Sequence, residues 1–224
     1  MKKQGKGKQK DWFGTVSKVA VILVLVLAVA GFTLNMGFFS IFKNVKPGSS
    51  VIIDYTLRTR EGRPVISSVQ QVVESGYDEG YTVGYTSRLS LVANGTVENV
   101  TPVEVYYSMG TVQFALFAPE IETIGEEILG MRLNAQKTIP FPFGGDLQST
   151  LTPSQFEMIG GNFTEAAVGD WVPLGFATAP IIPVDNETPE VPIRWAEVLE
   201  KGEDGLLLGY GYPEVEVIVR DISG

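Results

Sequence analysis

The chain has 224 residues, 44% of them hydrophobic, with 25 glycines, 13 prolines, no cysteine and no histidine. That length and composition suit a turn-rich folded body, and the two missing residue types exclude disulfides, thiolate metal sites, an imidazole base and a serine–histidine triad. Up to residue 46 eight lysines stand against Asp11, a balance of +7, which leaves −16 for the rest of a chain whose net charge is −9. So acidic a body excludes nucleic acid as a partner, and no cofactor and no metal are expected.

In chain order, residues 1–18 read as a basic cytoplasmic tail. Val19 to Ala30 is apolar without exception, and the apolar character continues with small breaks to Phe42. The resulting stretch, 19–42, is about 24 residues, more than the ~20 that cross a bilayer. A transmembrane helix is therefore expected there, with Trp12 and Phe13 near the interface. The lysines ahead of it place the N-terminus in the cytoplasm and the C-terminal body outside the cell membrane. A cleaved signal peptide is the alternative, since Ala28-Val29-Ala30 has the small-x-small form of a cleavage site. Both readings export the body, where Asn94, Asn99, Asn162 and Asn186 stand in N-x-[ST] sequons as possible glycosylation sites.

Past the Pro47-Gly48 turn, Val51 to Thr59 alternates and is β-branched, which predicts a strand, with a second from Pro64 to Val69. Leu89 to Ala93, Asn94-Gly95 and Thr96 to Val100 predict a hairpin on a type I′ turn. Val103 to Tyr107 and Thr111 to Leu116 are further strands. A helix is expected from Pro119 to Leu129: proline opens it, acids fill its early turns, Gly130 ends it, and Ile121, Ile124 and Ile128 share a face. Lys137 to Phe141 returns as a strand. Leu151 to Phe156 and Gly169 to Phe176 begin a second set of elements. Ala179 to Pro192 is a proline-rich loop, and Ile193 to Glu200, Leu206 to Tyr210 and Val215 to Ile222 close the chain as strands.

Three blocks in this order carry a resemblance: Val51-Ile52-Ile53-Asp54-Tyr55-Thr56, then Ile124-Gly125-Glu126-Glu127-Ile128-Leu129-Gly130-Met131, then Lys137-Thr138-Ile139-Pro140. The chain resembles FKBP-type peptidyl-prolyl cis-trans isomerases of the SlyD-like, archaeal insert-in-flap type. Thr152-Pro153-Ser154-Gln155-Phe156 is similar to the segment leading into the flap. Ala196 to Glu200 and Tyr210 to Pro213 are similar to the segment leading out of it. The resemblance implies an α+β, mostly β fold: an FKBP-like antiparallel sheet with one short helix over 47–145 and 209–224, and an inserted β-rich flap module over 146–208. Residues 70–112 are an insertion of unassigned role.

The resemblance also implies a substrate groove. Tyr55 matches the tyrosine after the strand aspartate, Ile121 the residue whose backbone amide grips the peptide, and Ile124 the groove floor. Phe114 matches a wall aromatic, Phe141 and Phe143 lie near the family's Ala-Tyr-Gly turn, and Val215 falls on the final strand's wall position. Val65 and Ile66 stand where the family has a Phe-Asp pair, and the turn tyrosine is replaced by Phe and Gly. The implied activity is extracytoplasmic, membrane-tethered proline isomerisation and chaperoning of unfolded or proline-containing polypeptides. The alternative is a catalytically decayed binding module acting as a holdase or envelope assembly factor. Such a groove needs no titrating base, because a dry pocket favours the twisted amide over the conjugated one.

Each of these residues also has a plainer reading as strand or helix core. The adjacent Glu126 and Glu127 do not face each other on a helix and suit its dipole better than acid–base work. Tyr77, Tyr81 and Tyr85, each following a glycine, form a spaced pattern that reads either as a partner-binding loop or as a loop without a specific role.

Overall fold

The computed structural model describes residues 12–35, 43–97, 99–176 and 191–224. The chain divides into two compact units, Met1–Lys43 and Asn44–Gly224. In the first, α1 (Trp12–Asn35) is a 24-residue helix. Its side chains from Ala20 to Val29 are all exposed. Among the described residues no helix is long and apolar enough to cross a membrane. The unbroken run of described apolar side chains in α1, Ala20 to Val29, is about half of the ~20 residues that a span needs. The expected span begins at residue 19, inside α1, and its last part, 36–42, lies outside the described residues.

The second unit is a mostly-β α+β body. Its elements are β1 (Ser50–Arg58), β2 (Pro64–Ser67), α2 (Gln70–Asp78), β3 (Gly84–Thr86), β4 (Leu89–Val92), β5 (Val100–Tyr107), β6 (Gly110–Phe117), α3 (Ala118–Glu127), β7 (Gln136–Pro140), β8 (Gln148–Leu151), α4 (Pro153–Met158), β9 (Trp171–Gly175), β10 (Ile193–Lys201), β11 (Leu206–Gly209) and β12 (Glu214–Ser223). The strands form one curled sheet in the order β7-β12-β1-β2-β3-β5-β6-β10-β11-β8, with β4 added to β1 and β9 to β10.

β1 shows why the sequence folds this way. Val51, Ile53, Tyr55 and Leu57 point into the core by the two-residue period of a strand. On the other face Asp54 is buried but held by Arg88 at 3.0 Å, Arg220 at 2.5 Å and the Ser68 hydroxyl at 3.2 Å. β12 supplies Val215, Val217 and Val219 opposite, and α3 covers the same core with Ile121 and Ile124, followed by Ile128 just past its end. α3 starts as its sequence predicts: Pro119 opens the first turn, and the Glu120 carboxylate accepts from the Phe117 amide at 3.0 Å.

Three expectations need correction. The sheet is mixed and not purely antiparallel, because β2 pairs with β3, and β6 with β10, in parallel. The first parallel pair is a consequence of α2, since parallel neighbours need a crossover and a helix provides it. Nor is there a single short helix over 47–145, where α2 joins α3, and the module that follows, expected to be β-rich, has a helix of its own. α4 is announced by a capping box, in which the Thr152 hydroxyl accepts from the Gln155 amide and the Gln155 side chain accepts from the Thr152 amide. Last, the Asn94-Gly95 hairpin does not form. β4 pairs with the first half of β1, burying Leu89 and Leu91, while β5 pairs with β3 and β6. Asn94 has φ +56 and its amide donates to the Gly125 carbonyl at 3.1 Å, so the turn docks on α3 instead of closing a ladder.

The elements β8, α4, β9, β10 and β11 carry their own small core. Phe156, Ala196, Val198, Leu206 and Leu208 are buried together, with Leu151, Val172 and Leu174 packed around them. The two segments that link this module to the rest touch backbone to backbone. A Cβ on Gly144 would stand 2.2 Å from the Tyr212 carbonyl oxygen, and one on Gly211 would stand 1.9 Å from that of Gly144. Only glycine permits this approach.

Candidate functional site

The residues implied to form a groove converge, but inside the core. Tyr55, Ile66, Phe114, Ile121, Ile124, Phe141 and Val215 are buried in one cluster, and Phe143 packs against it. Val65 is buried there too, and also forms part of an open cavity described below. The Phe141 and Phe143 rings stack at 5.5 Å. Phe114 is covered by Tyr212, whose ring stacks on it at 6.2 Å. The Tyr212 hydroxyl donates to the Trp195 carbonyl at 3.1 Å.

Arg194, on β10, completes the covering. It is 0% exposed and its partner Glu120 is 1% exposed. Its guanidinium lies 4.4 Å from the Phe117 ring, 4.5 Å from Tyr212 and 5.6 Å from Phe114. It donates to both Glu120 oxygens, to the Ala115 carbonyl at 2.8 Å and to the Tyr210 carbonyl at 2.5 Å. One carboxylate thus caps α3 and neutralises a cation from the module. Ion pairs this deep hold geometry more than they add stability, and breaking one is costly. A proline ring could reach Phe114 only by displacing Tyr212 or Arg194, and breaking a buried pair such as Arg194–Glu120 costs about 3–5 kcal/mol.

The open space lies beside this closed cluster. A cavity of about 700 Å³ is bounded by the β1–β2 turn, the tip of the β5–β6 hairpin, β9 and β10. Its walls are aromatic: Tyr81, Tyr107, Trp171 and Trp195, with Pro64, Pro173, Met109 and Ile193 between them. Strand alternation puts them there. On β10 Arg194, Ala196 and Val198 face inward and are buried, so Ile193 and Trp195 face the cavity. On β9 Val172 and Leu174 serve the module core and leave Trp171 and Pro173 outside. Gly84 makes room for the Tyr107 ring, from which a Cβ would be only 2.7 Å away.

Trp195 and Tyr107 are locked edge to face at 6.1 Å, and the indole Nε1 donates to the Tyr107 hydroxyl oxygen at 2.9 Å. The hydroxyl hydrogen of Tyr107 meets no acceptor among the described residues. Burial pushes the Tyr107 phenol up to about 12, so it stays protonated and can donate. At the rim Arg63 lies over the Tyr81 ring at 5.3 Å. Trp171 is 37% exposed and Met109 97% exposed, so the cavity opens onto further apolar surface. An apolar enclosure with few polar groups suits uncharged groups better than ions.

Beyond the rim a smaller hollow of about 380 Å³ shares Arg63, Pro64 and Tyr81 with the cavity and adds Glu61 and Glu79. Burial, and then the nearby Glu61 charge, push the Glu197 carboxyl up, against the opposing pull of Arg60 and Arg63.

Tyr107, Trp171 and Trp195 are not among the residues that the sequence resemblance points to. Tyr106-Tyr107 at a strand end carried a signal: adjacent aromatics point to opposite faces, so one of them had to face inward. Of the spaced tyrosines, Tyr81 lines the cavity while Tyr77 and Tyr85 are exposed. Asn94, Asn99 and Asn162 lie on exposed turns, and Asn186 lies outside the described residues. Among the described residues no group of acids could hold a metal ion. No protein-family model matches the chain, and no curated protein matches it in sequence.

Proposed function

We propose that the chain is a membrane-tethered, extracytoplasmic folding factor of FKBP-like type that binds exported polypeptides, with binding and not catalysis as its principal act. One observation carries this reading: an open aromatic cavity stands beside a groove-like cluster that its own side chains have filled. The anchor of this reading is the apolar stretch 19–42, whose first part lies in α1 with Ala20 to Val29 exposed, and the lysines ahead of it favour a body outside. The insert-in-flap resemblance is supported by three features. β1 pairs with the last strand, α3 leads into β7 beside that strand, and a module with its own core interrupts the chain between them.

A second reading, active proline isomerisation, is favoured by the convergence of Tyr55, Phe114, Ile121 and Ile124 in one place. The detergent-solubilised full chain separates the two. The first reading expects it to suppress aggregation of an unfolded client without accelerating refolding limited by an X-Pro bond. Acceleration that an FKBP inhibitor abolishes would establish the second reading instead.

A further inference from the structure

The cavity and its neighbouring hollow are one surface. They meet at the Arg63–Tyr81 pair, and Pro64 belongs to both. Their chemistry differs sharply. The larger is walled by indole and phenol rings, contains no carboxylate and offers the Tyr107 hydroxyl as a donor. The smaller is polar. Of its two arginines, Arg58 is engaged by Glu216 at 3.0 Å and by the Gly62 carbonyl at 3.0 Å, while Arg63 lies on Tyr81. Its two carboxylates, Glu61 and Glu79, are exposed and accept no hydrogen bond among the described residues.

We propose that the two hollows form a single track for an extended polypeptide segment in which an apolar or proline residue is followed closely by lysine or arginine. The apolar residue enters the aromatic cavity, where its preceding carbonyl accepts from Tyr107. The chain crosses the Arg63–Tyr81 saddle, and the basic side chain reaches Glu61 and Glu79. Charge complementarity selects this occupant. A body of net −16 repels acidic segments and anionic lipid alike, and among the described residues lining the hollow beyond the saddle the charged groups with neither an ion pair nor a ring contact are the carboxylates of Glu61 and Glu79. The inference rests on the polypeptide-binding reading and adds the sign of the preferred client.

The test uses the full chain in neutral detergent, with Trp12→Phe so that the remaining tryptophans, Trp171 and Trp195, report from the cavity. Three synthetic peptides share a Leu-Pro-Phe core followed by two lysines, two serines or two glutamates. The lysine peptide is expected to bind about five- to tenfold tighter than the serine peptide at low salt, and the glutamate peptide most weakly. Half-molar salt narrows the spread. The Glu61→Gln, Glu79→Gln double variant brings the lysine peptide down to the serine peptide's affinity. Trp171→Ala weakens all three. Equal binding of the three peptides, or an unchanged ranking in the double variant, overturns the track while leaving the binding reading in place. No binding of any peptide to a folded sample overturns both.

Discussion

Two aromatic clusters lie side by side in this body and have opposite fates. In the first, Phe114, Phe117 and Tyr212 enclose a guanidinium whose hydrogen bonds to Glu120, Ala115 and Tyr210 engage both of its terminal nitrogens and Nε. In the second, Tyr107 and Trp195 fix each other, remain half-buried at the cavity wall, and leave the Tyr107 hydroxyl hydrogen without an acceptor among the described residues. β10 serves both, with Arg194 on one face and Trp195 on the other. The contrast teaches that aromatic and aliphatic residues can be gathered in one place and still be sealed. What remains able to bind is decided by which aromatic surface its neighbours leave open.

The largest effect should come from unsealing the first cluster. Arg194→Ala leaves Glu120 charged and alone in the core, and should cost about 3–5 kcal/mol in urea unfolding followed by tryptophan fluorescence. Arg194→Met combined with Glu120→Leu should recover most of that loss. If the single and double variants were equally damaged, the pair would not be the source of the cost. Next comes the open cluster. Trp171→Ala should weaken peptide binding at least tenfold, as truncation of an aromatic anchor does, with a far smaller change in the urea midpoint. A midpoint shift as large as that of Arg194→Ala would make Trp171 a core residue and not a binding one.

Tyr55 sharpens the comparison from the sealed side. Burial pushes its phenol up to about 12 from an ordinary 10.0. The stability this represents is complete below pH 10 and is lost as pH rises from there toward 12, because the unfolded chain ionises first. Tyr55→Phe should cost no more than about 1 kcal/mol at pH 8, since the contact to Thr86 is long at 3.4 Å. It should also lose less stability than the parent between pH 8 and pH 11, read by thermal denaturation at each pH. An unchanged alkaline slope would show that the Tyr55 phenol is not buried as described. The smallest effect is expected at Met109→Ser on the hairpin tip. Stability should move by less than about 0.5 kcal/mol, with a modest loss of peptide affinity by titration.

Much of this molecule can be read from its letters. The alternation of Val51, Ile53, Tyr55 and Leu57 fixed an inward face of β1, and Pro119, Glu120 and Gly130 bracketed α3, because these signals act within a few residues and owe little to the rest of the chain. The apolar stretch after the lysines and the acidic character of the body are likewise properties of composition. Pairing partners were not legible in the same way. Asn94-Gly95 has the local chemistry of a hairpin, yet burying Leu89 and Leu91 against β1 outweighs it. Gln70–Asp78 becomes a helix whose crossover makes β2 and β3 parallel.

The site divides along the same line. Tyr55, Phe114, Ile121 and Ile124 lie in one core cluster, but what covers Phe114 is Arg194 and Tyr212, which lie 80 residues or more further along the chain than Phe114. The cavity is more distributed still, since its walls come from segments around 64, 81, 107, 171 and 195. Local propensity determined which residues would be strand or helix and which faces would be apolar. Only the tertiary structure decided which apolar faces were covered, because covering is a matter of what the distant chain places opposite them.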